Sequence, residues 1–156
     1  MFRKMRRFGQ QLDEKRCIEI LKNEPRGVLA VLGDEGYPYT IPLDFVYDEG
    51  KIYFHSAVEG HKIDAIQGYN KASFCVLDKG IRENGDWAYY FDSVVAFGRI
   101  KIVEDKNIAE EKLRLLGLKY FPTAEMVERD MEKNAKRALV LELSIEHMTG
   151  KHVHEN

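Results

Sequence analysis

The stretch Lys51–Gly68, KIYFHSAVEGHKIDAIQG, decides how the rest of the chain is read. Ile52, Tyr53 and Phe54 read as a strand, His55-Ser56-Ala57 as its polar exit, and Gly60-His61-Lys62 as the opening of a short helix. A helix N-terminus leaves its first N–H groups unpaired and carries a partial positive charge, so it holds an anion. Gly60, without a Cβ, lets the backbone come close. Lys62 adds a full charge, His61 a ring N–H and Ser56 a hydroxyl. Together these suit a phosphate. An ordinary strand–helix junction with a solvated lysine has the same residues, so the surroundings must decide. The stretch matches neither the Walker pattern GxxxxGKS/T nor the dinucleotide fingerprint GxGxxG.

Composition bounds the answer. A chain of 156 residues reads as one domain, 1–156, with a real core. Hydrophobic residues make up 44% and charged residues 32%, which is ordinary for a soluble globular protein. A net charge of −2 gives no electrostatic case for nucleic acid. The basic run Arg3, Lys4, Arg6 and Arg7 reads as a solvated tail. No apolar run approaches the roughly 18 residues of a membrane span. The N-terminus has no apolar central region of the kind a signal peptide needs. Cys17 and Cys75 form no CxxC and read as free thiols in a reducing cytoplasm.

Taken in order, the chain opens with a helix over 13–23. Asp13 is its N-cap, Leu12 and Cys17 hold the staple positions, and Cys17, Ile18 and Leu21 form the apolar stripe. A strand over Gly27–Leu32 and a turn over Gly33–Gly36 follow. The next strand, Tyr37–Tyr47, contains Pro38 and Pro42, so it is an edge or is bent there. After the opening stretch come a strand at Lys71–Leu77, a loop near 79–86 and an aromatic cluster from Trp87 to Phe91. In the long strand 92–104, Val94, Ala96, Gly98, Ile100 and Ile102 share one face. Asn107 with Glu110 reads as a capping box for a helix carrying Ala109, Leu113, Leu116 and Tyr120. Thr123 caps a second helix with the stripe Val127, Met131 and Ala135. In the last strand Leu139, Leu141, Leu143 and Ile145 alternate with Val140, Glu142, Ser144 and Glu146. About six strands joined by short turns favour antiparallel pairing in a small barrel or sandwich, with four peripheral helices.

The ordered series Gly36-Tyr37-Pro38 to Tyr47, Gly50 to Ala57, Gly60-His61-Lys62, Lys71 to Val76 and Ser93 to Arg99 resembles the FMN-binding split-barrel superfamily that includes pyridoxamine 5′-phosphate oxidase. It is most similar to the nitroimidazole-resistance (nitroimidazole reductase) branch, over about residues 6–151. The resemblance implies a mainly β (β+α) fold, a six-stranded antiparallel split barrel with peripheral helices. It implies FMN as cofactor and a homodimer with FMN sites at the subunit interface. A lone barrel of this size offers no cleft deep enough to cover a flavin ring, so a shared site makes physical sense.

The resemblance also assigns roles. Lys62 and His61 take the phosphate, beside Ser56 and Ala57. His55 lies at the flavin ring and is the candidate catalytic residue. Pro42, Leu43 and Asp44 offer backbone groups to the ring edge. Ser93 reaches the pyrimidine end, and Lys151 approaches from the second subunit. Each has a plainer reading: a surface histidine, a bent strand without ligand, a tail lysine. The Trp87–Phe91 cluster covers the flavin or, more simply, packs in a core or interface. The ending Gly150–Asn156 lacks the arginines with which the oxidases grip pyridoxine phosphate, so the likeness concerns fold and FMN rather than substrate. His152-x-His154, two imidazoles without a third ligand, gives no metal site. An FMN-dependent oxidoreductase acting on a small molecule in the cytoplasm is the leading expectation. A haem-binding split barrel and a flavin-binding sensor or carrier are the alternatives, and the absorption spectrum separates flavin from haem.

Overall fold

The computed structural model describes residues 1–154; Glu155 and Asn156, the end of the arginine-free terminus, lie outside them. Helix α1 (Glu14–Asn23) starts as expected, with the Asp13 carboxylate accepting from Arg16 N at 2.8 Å. Its buried face is Cys17, Ile20 and Leu21; Ile18, expected in the stripe, is only half-buried. Leu12 and Cys17, the staple pair, meet on either side of Gly150, where a Cβ would strike both.

One antiparallel sheet makes up most of the molecule. It comprises β1 (Gln11–Leu12), β2 (Gly27–Leu32), β3 (Pro38–Leu43), β4 (Val46–Asp48), β5 (Lys51–Ser56), β6 (Lys71–Leu77), β7 (Phe91–Ile102) and β8 (Leu139–Val153). The order is β3-β2-β6-β7-β8-β5-β4, with β1 on the free side of β8. Eight strands thus stand where six were expected. One addition is the two-residue β1; the other arises because the single strand expected over Tyr37–Tyr47 is two, β3 and β4, broken at Asp44-Phe45. The break has a physical cause. Phe45 is fully buried, and its backbone N–H and C=O are bonded to α3 (Lys106–Tyr120) rather than to a strand.

The last strand runs on from the expected 139–146 to Val153 and pairs with β7 along nearly its whole length. Between Phe97↔His147 and Gly98↔Ile145 the register skips Glu146, a bulge that bends β8. As expected, Val94, Ala96, Gly98 and Ile100 face inward and are buried. The inner face packs on α1 and α2 (His61–Gly68). Phe74 lies at its centre, edge-to-face with Phe45 and Phe54 at centroid distances of 4.9 and 5.0 Å.

On the outer face, α3 covers β4, β5 and the start of β8 through Val46, Tyr53, Leu116 and Val140. Here Glu142 is 5% exposed and pairs with Lys51 at 2.9 Å. The N-cap of α3 is Asp105, which accepts from Asn107 N and Ile108 N at 2.9 and 3.2 Å; Asn107, the expected cap, is already inside the first turn. Helix α4 (Ala124–Asn134) is capped by Thr123 as expected, and Val127 packs beside Gly117 of α3. Its stripe ends before Ala135, which belongs to a short 3-10 turn. In the aromatic cluster Trp87 is 72% and Tyr89 51% exposed in the single subunit, which leaves them out of its core, and Ala88 between them is buried. Among the described residues no helix is long and apolar enough to cross a membrane.

Gly98 lies beside the bulge, and a Cβ there would run into the Ser144 carbonyl. Gly98→Ala is therefore expected to destabilise the fold by about 3 kcal/mol, the upper range for overpacking at a backbone contact. Urea unfolding followed by circular dichroism checks this; an unchanged midpoint would refute it.

Candidate functional site

The sheet does not close. β3 pairs only with β2, so its other edge is free. β4 pairs with β5 only as far as Tyr53, which frees the same side of Phe54, His55 and Ser56. The chain passes from β3 to β4 through Asp44-Phe45, so these two free edges are joined at one end and form the two lips of a split. Backbone N–H and C=O groups along both lips have no ladder partner, as a planar ligand with a hydrogen-bonding edge requires.

One end of the split carries the start of α2. Gly60 is its N-cap residue with φ +134°, a backbone that favours glycine, and no side chain caps the helix. Nothing lies within 4 Å of where a Gly60 Cβ would project. Lys62 is half-buried and, among the described residues, has no ion-pair or hydrogen-bond partner; burial lowers its pKa. His61 stacks on Tyr39 at 4.1 Å, and its Nε2 accepts a long bond from Asp34 N at 3.4 Å. Ser56 points inward at 6% exposure, to the face on which α2 packs, and donates to the Ala57 carbonyl at 3.0 Å. Ala57 begins the exposed loop leading to Gly60.

At the joined end, Asp44 and His55 line one cavity of about 390 Å³ between the sheet and α3–α4, with Leu116, Tyr120, Phe121 and Met131. Asp44 pairs with Arg26 at 2.9 Å. Tyr120 and Lys119 fix this corner. The Tyr120 hydroxyl accepts from Phe45 N at 2.9 Å and donates to the Pro25 carbonyl at 2.6 Å. Lys119 Nζ donates to the carbonyls of Glu24 and Phe45 at 2.7 and 2.9 Å and lies 3.7 Å from the Phe45 ring centroid. Burial pushes its pKa down to about 8, with Asp44 and Glu24 opposing the shift. Sequence reasoning missed Lys119 and Arg26 and read Tyr120 only as part of a helix stripe. Their partners are remote in the chain, and nothing local announces them.

The remaining candidates lie elsewhere. Ser93 and Lys151 are directly paired across β7 and β8 and point outward, since Val94 and Gly150 point in. Pro42 faces outward as well, in a row with Val28, Cys75, Val95 and Thr149; Leu43 faces the core. His55 pairs with Val140, and from there to Lys151 β8 runs about 36 Å at a strand's rise per residue. One protomer therefore does not bring Lys151 to His55. Between the two groups lies a bare outer face of β2, β6 and the adjoining part of β7, where Val28, Leu32 and Leu77 are 38%, 40% and 53% exposed.

The Lys119 geometry has a pH signature. Its folded pKa of about 8 lies below the ordinary 10.5, so between those values the unfolded chain binds the proton and the folded chain does not. Stability should rise with pH over that window and lose this contribution as pH falls through about 8. Urea unfolding of wild type and Lys119→Met at pH 7, 8, 9 and 10 checks it: the difference between the two should change across the window, and a constant difference would refute it.

The family model for pyridoxamine 5′-phosphate oxidase matches residues 13–152. No curated protein matches the chain. Among solved structures, a candidate 5-nitroimidazole antibiotic resistance protein from Bacteroides thetaiotaomicron superposes with TM-score 0.77 at 21% identity, covering 92% of this chain and 87% of that one. A flavocytochrome from Azotobacter vinelandii gives 0.80 at 20% identity, covering 98% and 75%. A FAD-binding protein from Mesorhizobium loti gives 0.65 at 21% identity, covering 92% and 97%. These likenesses carry the fold, a split barrel with helices on its outside. With the family model spanning nearly all of the sheet and every helix, the chain belongs to the pyridoxamine 5′-phosphate oxidase family.

Proposed function

We propose that this chain is a subunit of a flavin-dependent oxidoreductase that holds FMN along the β3–β5 split and works as a homodimer. The observation that carries the reading is Lys62: a half-buried cation with no anion of its own, beside an uncapped helix start and the open backbone of Gly60. Such a group is stabilised by an incoming phosphate. A single phosphate site without a dinucleotide fingerprint favours FMN over FAD. Similar proteins carry flavin by their names, which supports the cofactor class.

Bound FMN would supply the hydride or electron transfer. The chain's own residues do the rest. Lys62 and the first N–H groups of α2 hold the phosphate, with His61 beside them. The lips at Pro42-Leu43-Asp44 and His55-Ser56-Ala57 orient the ring edge through backbone groups. The His55 imidazole, exposed toward the α3–α4 cavity, is the side chain placed to exchange a proton with a substrate there. Ser93 and Lys151 of a second copy complete the ring's pyrimidine end, because their own split is out of reach. The bare face of β2, β6 and β7 is the surface that second copy covers. The substrate is a small molecule other than pyridoxine phosphate, and two free cysteines fit a reducing cytoplasm.

Lys62→Ala tests the phosphate anchor. Removing a charge-assisted hydrogen bond should weaken FMN binding roughly ten- to a hundred-fold, while riboflavin, which lacks the phosphate, binds wild type and variant almost equally. Wild-type FMN affinity in the variant would overturn the assignment. The purified protein should also release FMN on denaturation. A single intense Soret band would favour a haem protein instead, the reading that the likeness to a flavocytochrome keeps in view.

The homodimer has its own test. FMN-loaded protein should sediment as a dimer at micromolar concentration, and Leu77→Lys on the bare face should return it to monomer with the fold intact. A wild-type monomer, or an unaffected dimer in the variant, contradicts the assigned surface.

A further inference from the structure

The outer face of the β7–β8 pair is not bare along its whole length. Residues 1–10 lie across it as a strap. The Phe2 ring stacks on His147, 4.6 Å between centroids and 7° from parallel, and leans on Phe97 at 5.4 Å. Phe97 and His147 are directly paired across the two strands, so their side chains form one aromatic floor. His147 Nε2 is buried there with no hydrogen-bond partner. A buried polar atom left without a partner is costly, and such atoms in native proteins commonly await a ligand or water.

Beneath the strap is a cavity of about 520 Å³ lined by Phe2, Arg3, Lys4, Phe8, His147 and Thr149. Arg3 and Lys4, like Arg6 and Arg7, make no ion pair or hydrogen bond through their side chains with any described residue. The slot therefore has a flat aromatic floor, an unused imidazole nitrogen and unneutralised positive charge at its rim. The Phe2 ring lies on that floor, so a second ring must displace it to stack there.

We propose that this slot takes a planar aromatic anion, whose ring replaces Phe2 on Phe97 and His147. Arg3 and Lys4, at the rim of the slot, meet its negative charge. The slot and the Ser93–Lys151 pair share one face of β7–β8, about 13 Å apart at a strand's rise per residue.

The probe is anthraquinone-2-sulfonate, with uncharged 2-(hydroxymethyl)anthraquinone as control, titrated calorimetrically into FMN-loaded and FMN-free full-length protein. Phe2→Ala should bind the sulfonate about three- to ten-fold more tightly, because a competing ring is gone. Arg3→Ala/Lys4→Ala should bind it about ten-fold more weakly yet bind the uncharged control as wild type does. His147→Ala removes half of the aromatic floor and should weaken both probes. No binding of the sulfonate, an unchanged or weaker Phe2→Ala, or equal losses for both probes in the basic double variant overturns the slot. FMN affinity, measured separately on each variant, keeps the two readings apart. A Phe2-dependent slot in a protein that binds no FMN supports the slot and sinks the flavin site.

Discussion

The structure depends on the length of β8 and on how its two edges are shared. One edge pairs with β7 almost throughout; the other is divided between β5 at the start and β1 near the end. A strand flanked by a single neighbour on each side gives an open, twisted sheet. Dividing the second edge, with the Glu146 bulge between, lets the sheet curl and places β5 and α1 on opposite stretches of one strand. Two glycines make this possible by the absence of a side chain. Gly98 admits the Ser144 carbonyl, and Gly150 admits Cys17 and Leu12.

A curled sheet with seven strands in line still has two edges, and here they are separated rather than joined. The separation is maintained by Asp44-Phe45, too short to pair with anything, and by α3. Lys119 and Tyr120 hold the Phe45 backbone, which would otherwise be buried without partners. The same two side chains hold the carbonyls of Glu24 and Pro25, so the start of β2 and the β3–β4 corner are tied to one helix end. The split is thus an enforced gap whose lips keep their backbone groups available. A lysine retained at such a corner despite the desolvation that lowers its pKa is consistent with its donating to two carbonyls at once.

The electrostatics divide the surface. Some charged side chains meet an opposite charge: Arg16 with Asp92, Lys51 with Glu142, Lys112 with Asp48, Arg114 with Glu128. Lys62 and the basic residues of the strap are among the cations that make no ion pair with a described residue. In a chain whose net charge is only −2, unpaired cations gathered at an open helix start and above an aromatic floor make a local preference for anions that the total conceals. Both lie on, or at the rim of, the part of the sheet that α3 and α4 leave uncovered.

By itself the sequence determined most of the elements and their inward faces. The alternation of Val94, Ala96, Gly98 and Ile100, the Asp13 and Thr123 caps and the Gly60-His61-Lys62 helix start are local signals, and each is where its spacing put it. The ordered set of short motifs also pointed to the right family. Local signals failed where a remote partner competed. Asp105 displaced Asn107 as a cap, and Phe45 broke a strand to meet α3. Tertiary structure alone decided that His55 and Asp44 share a cavity while Ser93 and Lys151 lie far along β8. Strand register fixes which residues are level with one another, and it is set by the bulge and the divided edge, features whose paired residues lie about 50 to 140 positions apart in the chain. No window of sequence contains both sides of such a pairing, so the composition of the site could be read and its geometry could not.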